Sequence, residues 1–290
     1  MKKLLLLFTI LAFIGCKVKP QVKEELKLQV KEEVIIDPVD MTHKEGLFYL
    51  KQDNSLVTGA IKGWYDSGLL KSISRFKDGK TFGVHKKWYD NGQLQEVERT
   101  NEDGKRDGVH KRWYKDGQLK TDWLWKDGKE DGVWKEWYKN GQLEYEWLWK
   151  DGKADGVWKK WHENGQLQEV KRNNKDGMTF GVPKSWYDNG QLQKVERYKK
   201  DGKKDGVHKG WYKDGQLKTE WPYKGGKADG VWKGWYESGQ LKTEWLWKDG
   251  KRDGTRKKWY KNGQLEHEET WKDGELISEK IWDKDGNRKE

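Results

Sequence analysis

A motif of the form Trp-Tyr-x-(Asn/Asp/Ser)-Gly-Gln-Leu recurs along this chain with its Trp at 64, 88, 113, 137, 161, 186, 211, 235 and 259. The steps between these Trp residues are 24 or 25 residues. A unit so short cannot bury a hydrophobic face alone, so it must stack against its neighbours. A second period lies above the first. Thr81-Phe82-Gly83 returns as Thr179-Phe180-Gly181, and the Trp residues at 88, 113, 137 and 161 return at 186, 211, 235 and 259. Every one of these shifts is 98 residues, so a four-repeat block has been duplicated.

The composition agrees with a thin architecture. The chain has 21 Trp and 34 Gly, yet only 33% of its residues are hydrophobic and 38% are charged. Too little Leu, Ile, Val and Phe is present for a globular core of this length. The aromatic residues are abundant and periodic, which argues equally against disorder.

The unit spanning residues 132–155 shows the local logic. Asn140-Gly141 between two aromatic-rich runs predicts a β-hairpin with a two-residue type I′ loop. Asp151-Gly152 predicts a second turn, and Asp155-Gly156 the entry to the next unit. With that loop, residues summing to 281 face each other: Trp134 with Trp147, Tyr138 with Leu143, Lys135 with Glu146. The same arithmetic pairs Lys111 with Asp122, Lys209 with Glu220, Lys233 with Glu244 and Lys257 with Glu268. Five charge-complementary pairs at one position support the register. Units of 25 residues carry their extra residue after the motif Leu, where a bulge or a longer turn would absorb it. The expected fold is therefore all-β: an elongated single-layer antiparallel meander of about ten hairpin repeats over residues 46–290, with degenerate end copies near 50–56 and 281–286.

The pattern (Trp/Tyr)-Tyr-x-(Asn/Asp)-Gly-x-Leu, followed by Asp-Gly-Lys and a further Gly, resembles the bacterial variant of the MORN repeat across residues 46–290. That resemblance implies an extended MORN-like sheet used for protein or lipid contacts. Members are often labelled antitoxin components of toxin–antitoxin pairs, which implies one alternative role.

Ring positions supply the candidate binding strip: Trp134, Tyr138, Trp147 and Trp149, repeated 98 residues on as Trp232, Tyr236, Trp245 and Trp247. Most of these rings are expected to cover the sheet's own backbone, but a single layer cannot hide all of them.

The N-terminal segment reads as a targeting signal. Lys2 and Lys3 precede an apolar run at 4–14, which is too short to span a bilayer. Phe13-Ile14-Gly15-Cys16 resembles the lipobox of bacterial lipoproteins, which assigns 1–15 to a signal peptide and Cys16 to lipidation. Cys16 is the only cysteine, so no intramolecular disulfide can form. Residues 16–45, rich in Lys, Glu and Gln near the start, read as a lipidated tether.

Other chemistries find little support. His85, His110 and His208 occupy the position where Trp134, Trp158 and Trp232 stand in sister units, so they read as sheet-packing residues. The repeated Asp-Gly-Lys-x-Asp-Gly lacks the third ligand and the final Glu of an EF-hand loop, so turn chemistry explains it. No catalytic constellation is evident, and neither cofactor nor metal is expected. With 60 basic and 49 acidic residues interleaved, the net charge of +11 describes a mixed surface rather than a nucleic-acid stripe. The expectation is a non-enzymatic, lipid-anchored monomer of the bacterial cell envelope, binding protein partners along its sheet. Glycan or cell-wall binding is the alternative, with weak attraction to anionic lipid.

Overall fold

A computed structural model describes residues 35–36 and 40–289. Cys16, the signal segment 1–15 and most of the tether lie outside the described residues. The described residues form one sheet of 24 strands, with a separate two-stranded hairpin near their start. From Gly59–Trp64 onward, strands pair antiparallel in chain order up to Arg288–Lys289. The sheet is open rather than closed into a barrel, and Ile35–Ile36 joins its first edge in parallel. Each unit contributes an outgoing strand ending at the motif Trp, such as Gly132–Trp137, and a return strand beginning at the motif Leu, such as Leu143–Lys150.

All five predicted ladder pairs are present, and each is an ion pair. Lys111 meets Asp122 at 3.0 Å, Lys135 meets Glu146 at 3.7 Å and Lys209 meets Glu220 at 3.0 Å. Lys233 meets Glu244 at 3.3 Å and Lys257 meets Glu268 at 3.6 Å.

The loop that produces this register differs from the expected one. Asn140 is not among the residues with positive φ, whereas Gly141 has φ 82°. The Gly141 amide donates to the Tyr138 carbonyl at 3.0 Å, and the Tyr138 amide donates to the Gln142 carbonyl at 2.9 Å. This is a three-residue loop, a type I turn closed by a left-handed glycine, instead of the two-residue type I′ loop. It offsets the strands by one residue. A bulge at Glu144 then restores the offset, so Trp137 meets Leu143 while Glu136 meets Tyr145. Tyr138 therefore does not face Leu143. Two departures cancel, and the pairs summing to 281 survive.

True two-residue turns occur at the other end of the hairpins. Asp127 and Gly128 have φ of 49° and 81°, and Asp78, Asp151 and Asp249 repeat the arrangement. The 25-residue units differ here, because their extra residue converts this turn into a three-residue loop. The Asn101 amide donates to the Lys105 carbonyl and the Gly104 amide to the Asn101 carbonyl, as at 174–178 and 199–203. A longer turn, rather than a bulge, absorbs the added residue.

Neighbouring units are stitched together by one recurrent bond. The motif Tyr hydroxyl donates to the carbonyl of the next unit's Trp: Tyr65 to Trp88, Tyr114 to Trp137, Tyr138 to Trp161 and so on to Tyr260 with Trp282. His162 stands where a Tyr is expected and makes the same contact with Trp186, at 3.1 Å.

Among the described residues the buried hydrophobic cluster sits at one end only. Ile36, Val57, Ile61 and Phe76 form it, with Met41, Phe48 and Leu50 against them. The hairpin of Met41–Lys44 and Leu47–Leu50 closes that end of the sheet. It begins inside the stretch whose charge suggested a tether to residue 45, because Ile36 and Met41 supply apolar surface to bury. Elsewhere the molecule is one layer thick.

Candidate functional site

The alternation of a strand places Trp134, Trp147 and Trp149 on one face and Val133, Lys135 and Leu148 on the other. On the first face the rings stack upon one another. Trp134 lies 4.8 Å from Trp123, nearly parallel to it, and 5.2 Å from both Trp125 and Trp149. Its duplicate, Trp232, lies 5.3 Å from Trp221, 5.4 Å from Tyr223 and 5.0 Å from Trp247. Trp147 stacks on Tyr145 at 4.8 Å, and Trp245 on Trp247 at 6.1 Å. These rings are half-buried, except Trp221, which is exposed.

Six of the eight candidate positions thus form the two ring rows. Tyr138 and Tyr236 do not join them. Each stands one residue past its strand, at the loop, with its hydroxyl given to the Trp161 or Trp259 carbonyl. Burial and, for Tyr138, the nearby Glu144 push both hydroxyl pKa values up, in keeping with neutral donors.

Cations close the far end of each row. Lys171 lies 4.2 Å over Trp158, and Arg256 lies 4.3 Å over Trp245. Arg252 sits between Trp245 and Trp271, at 4.7 and 4.5 Å. No periodicity in the motif pointed to these cations, because each row ends only where the block ends.

Where His replaces Trp, the same face becomes an ion network. His110, 1% exposed, gives its Nε2 to Glu96 at 2.7 Å. Glu96 also accepts from Lys87 at 2.8 Å and Arg112 at 2.9 Å, while Arg106 serves Glu98 at 2.9 Å. The bond from His110 is the main reason the Glu96 carboxyl is held well below the usual carboxylate range. Glu96, Glu98 and His110 offer ligand atoms within 4.8 Å of one another, a spacing a metal ion could use. The three cations already neutralise both carboxylates, so the cluster has no electrostatic need of one. In the second block His208 faces Glu196 at 3.6 Å, and His208 first, then Lys194 at 2.8 Å, keeps Glu196 down at about 2. His85 bonds Thr100 at 3.0 Å, and burial lowers its pKa.

The opposite face holds the exposed apolar side chains. Val133 is 47% exposed and Leu148 43%, with Val109, Leu124, Val231 and Leu246 close behind. Val109 pairs with Leu124, Val133 with Leu148 and Val231 with Leu246 across the strands. This aliphatic strip does not follow from the aromatic period of the motif. Its signal was the Val that follows the Gly opening most outgoing strands.

A family model described as the MORN repeat variant matches eight segments: 83–100, 106–127, 130–151, 154–171, 181–200, 204–224, 228–249 and 252–273. Together they cover over half of the chain. No curated protein matches it. Among solved structures, the chain is similar to "Crystal Structure of TcdB2-TccC3" at 12% identity and a TM-score of 0.19, over 85% of this chain and 16% of that one. "Crystal Structure of TcdB2-TccC3-Cdc42" gives 9% identity, a TM-score of 0.18 and the same coverage. The chain spans about a sixth of the length of those chains, and TM-scores so low carry no functional argument.

Proposed function

This chain belongs to the MORN repeat variant family, and from that premise we propose that it is a non-enzymatic scaffold binding protein partners along its sheet. The carrying observation is the aliphatic strip. Exposed Val and Leu side chains recur in register on one face of an open sheet, and contiguous apolar surface of this kind marks a contact. Sugar stacking needs open ring faces. The candidate rings are instead stacked on other rings, and Arg252 and Arg256 lie over Trp245, which favours protein over glycan as the partner.

The same proposal places the protein at the bacterial cell envelope through a lipid on Cys16, supported by the charged, apolar and Gly-Cys segments in succession. Metabolic labelling with an alkynyl fatty acid should mark the wild type and miss Cys16→Ser; equal labelling refutes the anchor. For the scaffold, a photo-crosslinking residue at Val133 in the full chain should give discrete protein adducts in cells. A complete lack of adducts from Val133 and Leu148 would refute binding along this face.

A further inference from the structure

On the face opposite the rings, every outgoing strand from Lys62 to Lys280 carries a Lys two residues before its Trp. Its ladder partner varies with the unit. In 24-residue units with Trp-rich return strands, that partner is an acid such as Asp122, Glu146 or Glu220, and the charges cancel. In the 25-residue units the partner is Val97, Val170 or Val195. Lys159 turns instead to Glu146 of the preceding strand at 3.1 Å, whereas Lys86 and Lys184 are exposed and, among the described residues, have no ion pair.

A second cation stands beside each of them. Arg99 pairs across the ladder with Val84, and Arg197, its equivalent 98 residues on, stands opposite Val182. Both are exposed, and neither has an ion pair among the described residues. Their stems lie along glycines: a Cβ on Gly108 would come 3.3 Å from Arg99 Cδ, and one on Gly206 would come 3.0 Å from Arg197 Cδ. Leu124 and Leu148 use the same shelf over Gly132 and Gly156. Without a Cβ, each glycine leaves room for the Arg stem to lie across it.

Lys86 and Lys184 are eight strands apart, about 38 Å at 4.7–4.9 Å per strand. From Val109 to Lys159 the face between them is aliphatic with its cations paired, Lys111 to Asp122 and both Lys135 and Lys159 to Glu146, beside exposed Val133 and Leu148. Arg172, on the strand before Lys184, adds an exposed cation to the second patch. Basic patches and apolar strips thus alternate with the 98-residue block.

We propose that Lys86 with Arg99, and Lys184 with Arg197, are two equivalent docking points for one partner: a polypeptide whose acidic clusters flank an apolar stretch. This deepens and rests on the scaffold reading. A bare polyanion would match the cations but leave the Val and Leu strip between them uncovered. An extended chain bridging the two points needs about 11–12 residues at 3.3 Å each.

The test uses the full chain and a synthetic peptide with three Glu at each end and ten alternating Leu and Gln between. Fluorescence anisotropy should show binding that weakens as salt rises. K86E/R99E should weaken it by about 100-fold, as expected when one of two linked contacts is lost. Reversing all four residues should abolish binding, while Lys257→Gln leaves it within about twofold because that Lys is neutralised by Glu268. If the reversed variant does not fold, K86Q/R99Q/K184Q/R197Q replaces it, with the same expected loss. No peptide binding, or binding unchanged in the fourfold variant, overturns the proposal. So does tighter binding of phosphatidylglycerol vesicles or polyphosphate that vanishes in that variant. Cross-linked adducts from Val133 that persist in the fourfold variant would overturn these docking points while leaving the scaffold reading standing.

Discussion

The stretch around Trp123, Trp134 and Trp149 and the stretch around Glu96, Glu98 and His110 occupy the same face of one sheet, yet they cover its backbone by opposite means. The first uses stacked rings, with an acid beneath each Lys on the reverse face. The second uses a buried imidazole among carboxylates and cations, with Val in place of the acid and a turn one residue longer. One unit type is thus self-neutral on its reverse face, and the other leaves cations unpaired there. A single-layer sheet has no second layer to hide its backbone, so each unit must bring its own cover. Either ring dispersion or a closed charge network suffices.

The comparison is sharpest when the cover is removed. Trp134→Ala strips the shared neighbour of Trp123, Trp125 and Trp149 and should cost about 2–4 kcal/mol, somewhat under the roughly 3–5 kcal/mol of a fully buried aromatic because the ring is half-buried. Hydrogen exchange should rise mainly between Trp113 and Trp161, because contacts in a repeat array are nearest-neighbour. A loss below about 0.5 kcal/mol, the usual size for a surface substitution, would break the comparison by showing the rings to be decoration.

Acid should separate the two stretches by sign. Burial lowers the His85 pKa, so its contribution is present above the ordinary value of 6.5 and is lost as pH falls below it. Glu196, held at about 2 chiefly by its bond from His208, contributes above 4.5 and loses that contribution as pH falls toward 2. Glu136, in the ring stretch, behaves oppositely. Burial and then Glu144 raise its pKa, so its contribution is full below 4.5 and is lost as pH rises. Exchange corrected for intrinsic rates should therefore increase in acid at 83–100 and 192–211, and not at 132–149. Equal loosening of both would show that the charge network is not the local cover.

The smallest effect tests what the two stretches share. Tyr138→Phe removes one hydroxyl bond to Trp161 and should cost about 0.5–1.5 kcal/mol. His162→Tyr should be close to neutral, since His162 already bonds the Trp186 carbonyl. Calorimetric melting of the full chain reads both, and a larger loss from His162→Tyr would mean that His162 does more than bridge units.

The amino-acid sequence by itself determined the unit length, the strand positions, the open all-β architecture and the five Lys–acid pairs. Each follows from a period of two within strands and of 24–25 between them, and those periods are visible without coordinates. Only the tertiary structure decided which turn carries which geometry. A three-residue loop plus a bulge at Glu144 gives the same ladder sums as the two-residue loop read from Asn140-Gly141, so the pattern of residues cannot tell them apart. The structure also decided that Tyr138 and Tyr236 bridge units instead of joining the ring rows, because each stands one residue past its strand, at the three-residue loop. It placed the exposed apolar surface on the Val and Leu face for the same physical reason. In a single layer the large rings bury one another, and the smaller aliphatic side chains opposite them have nothing to bury against.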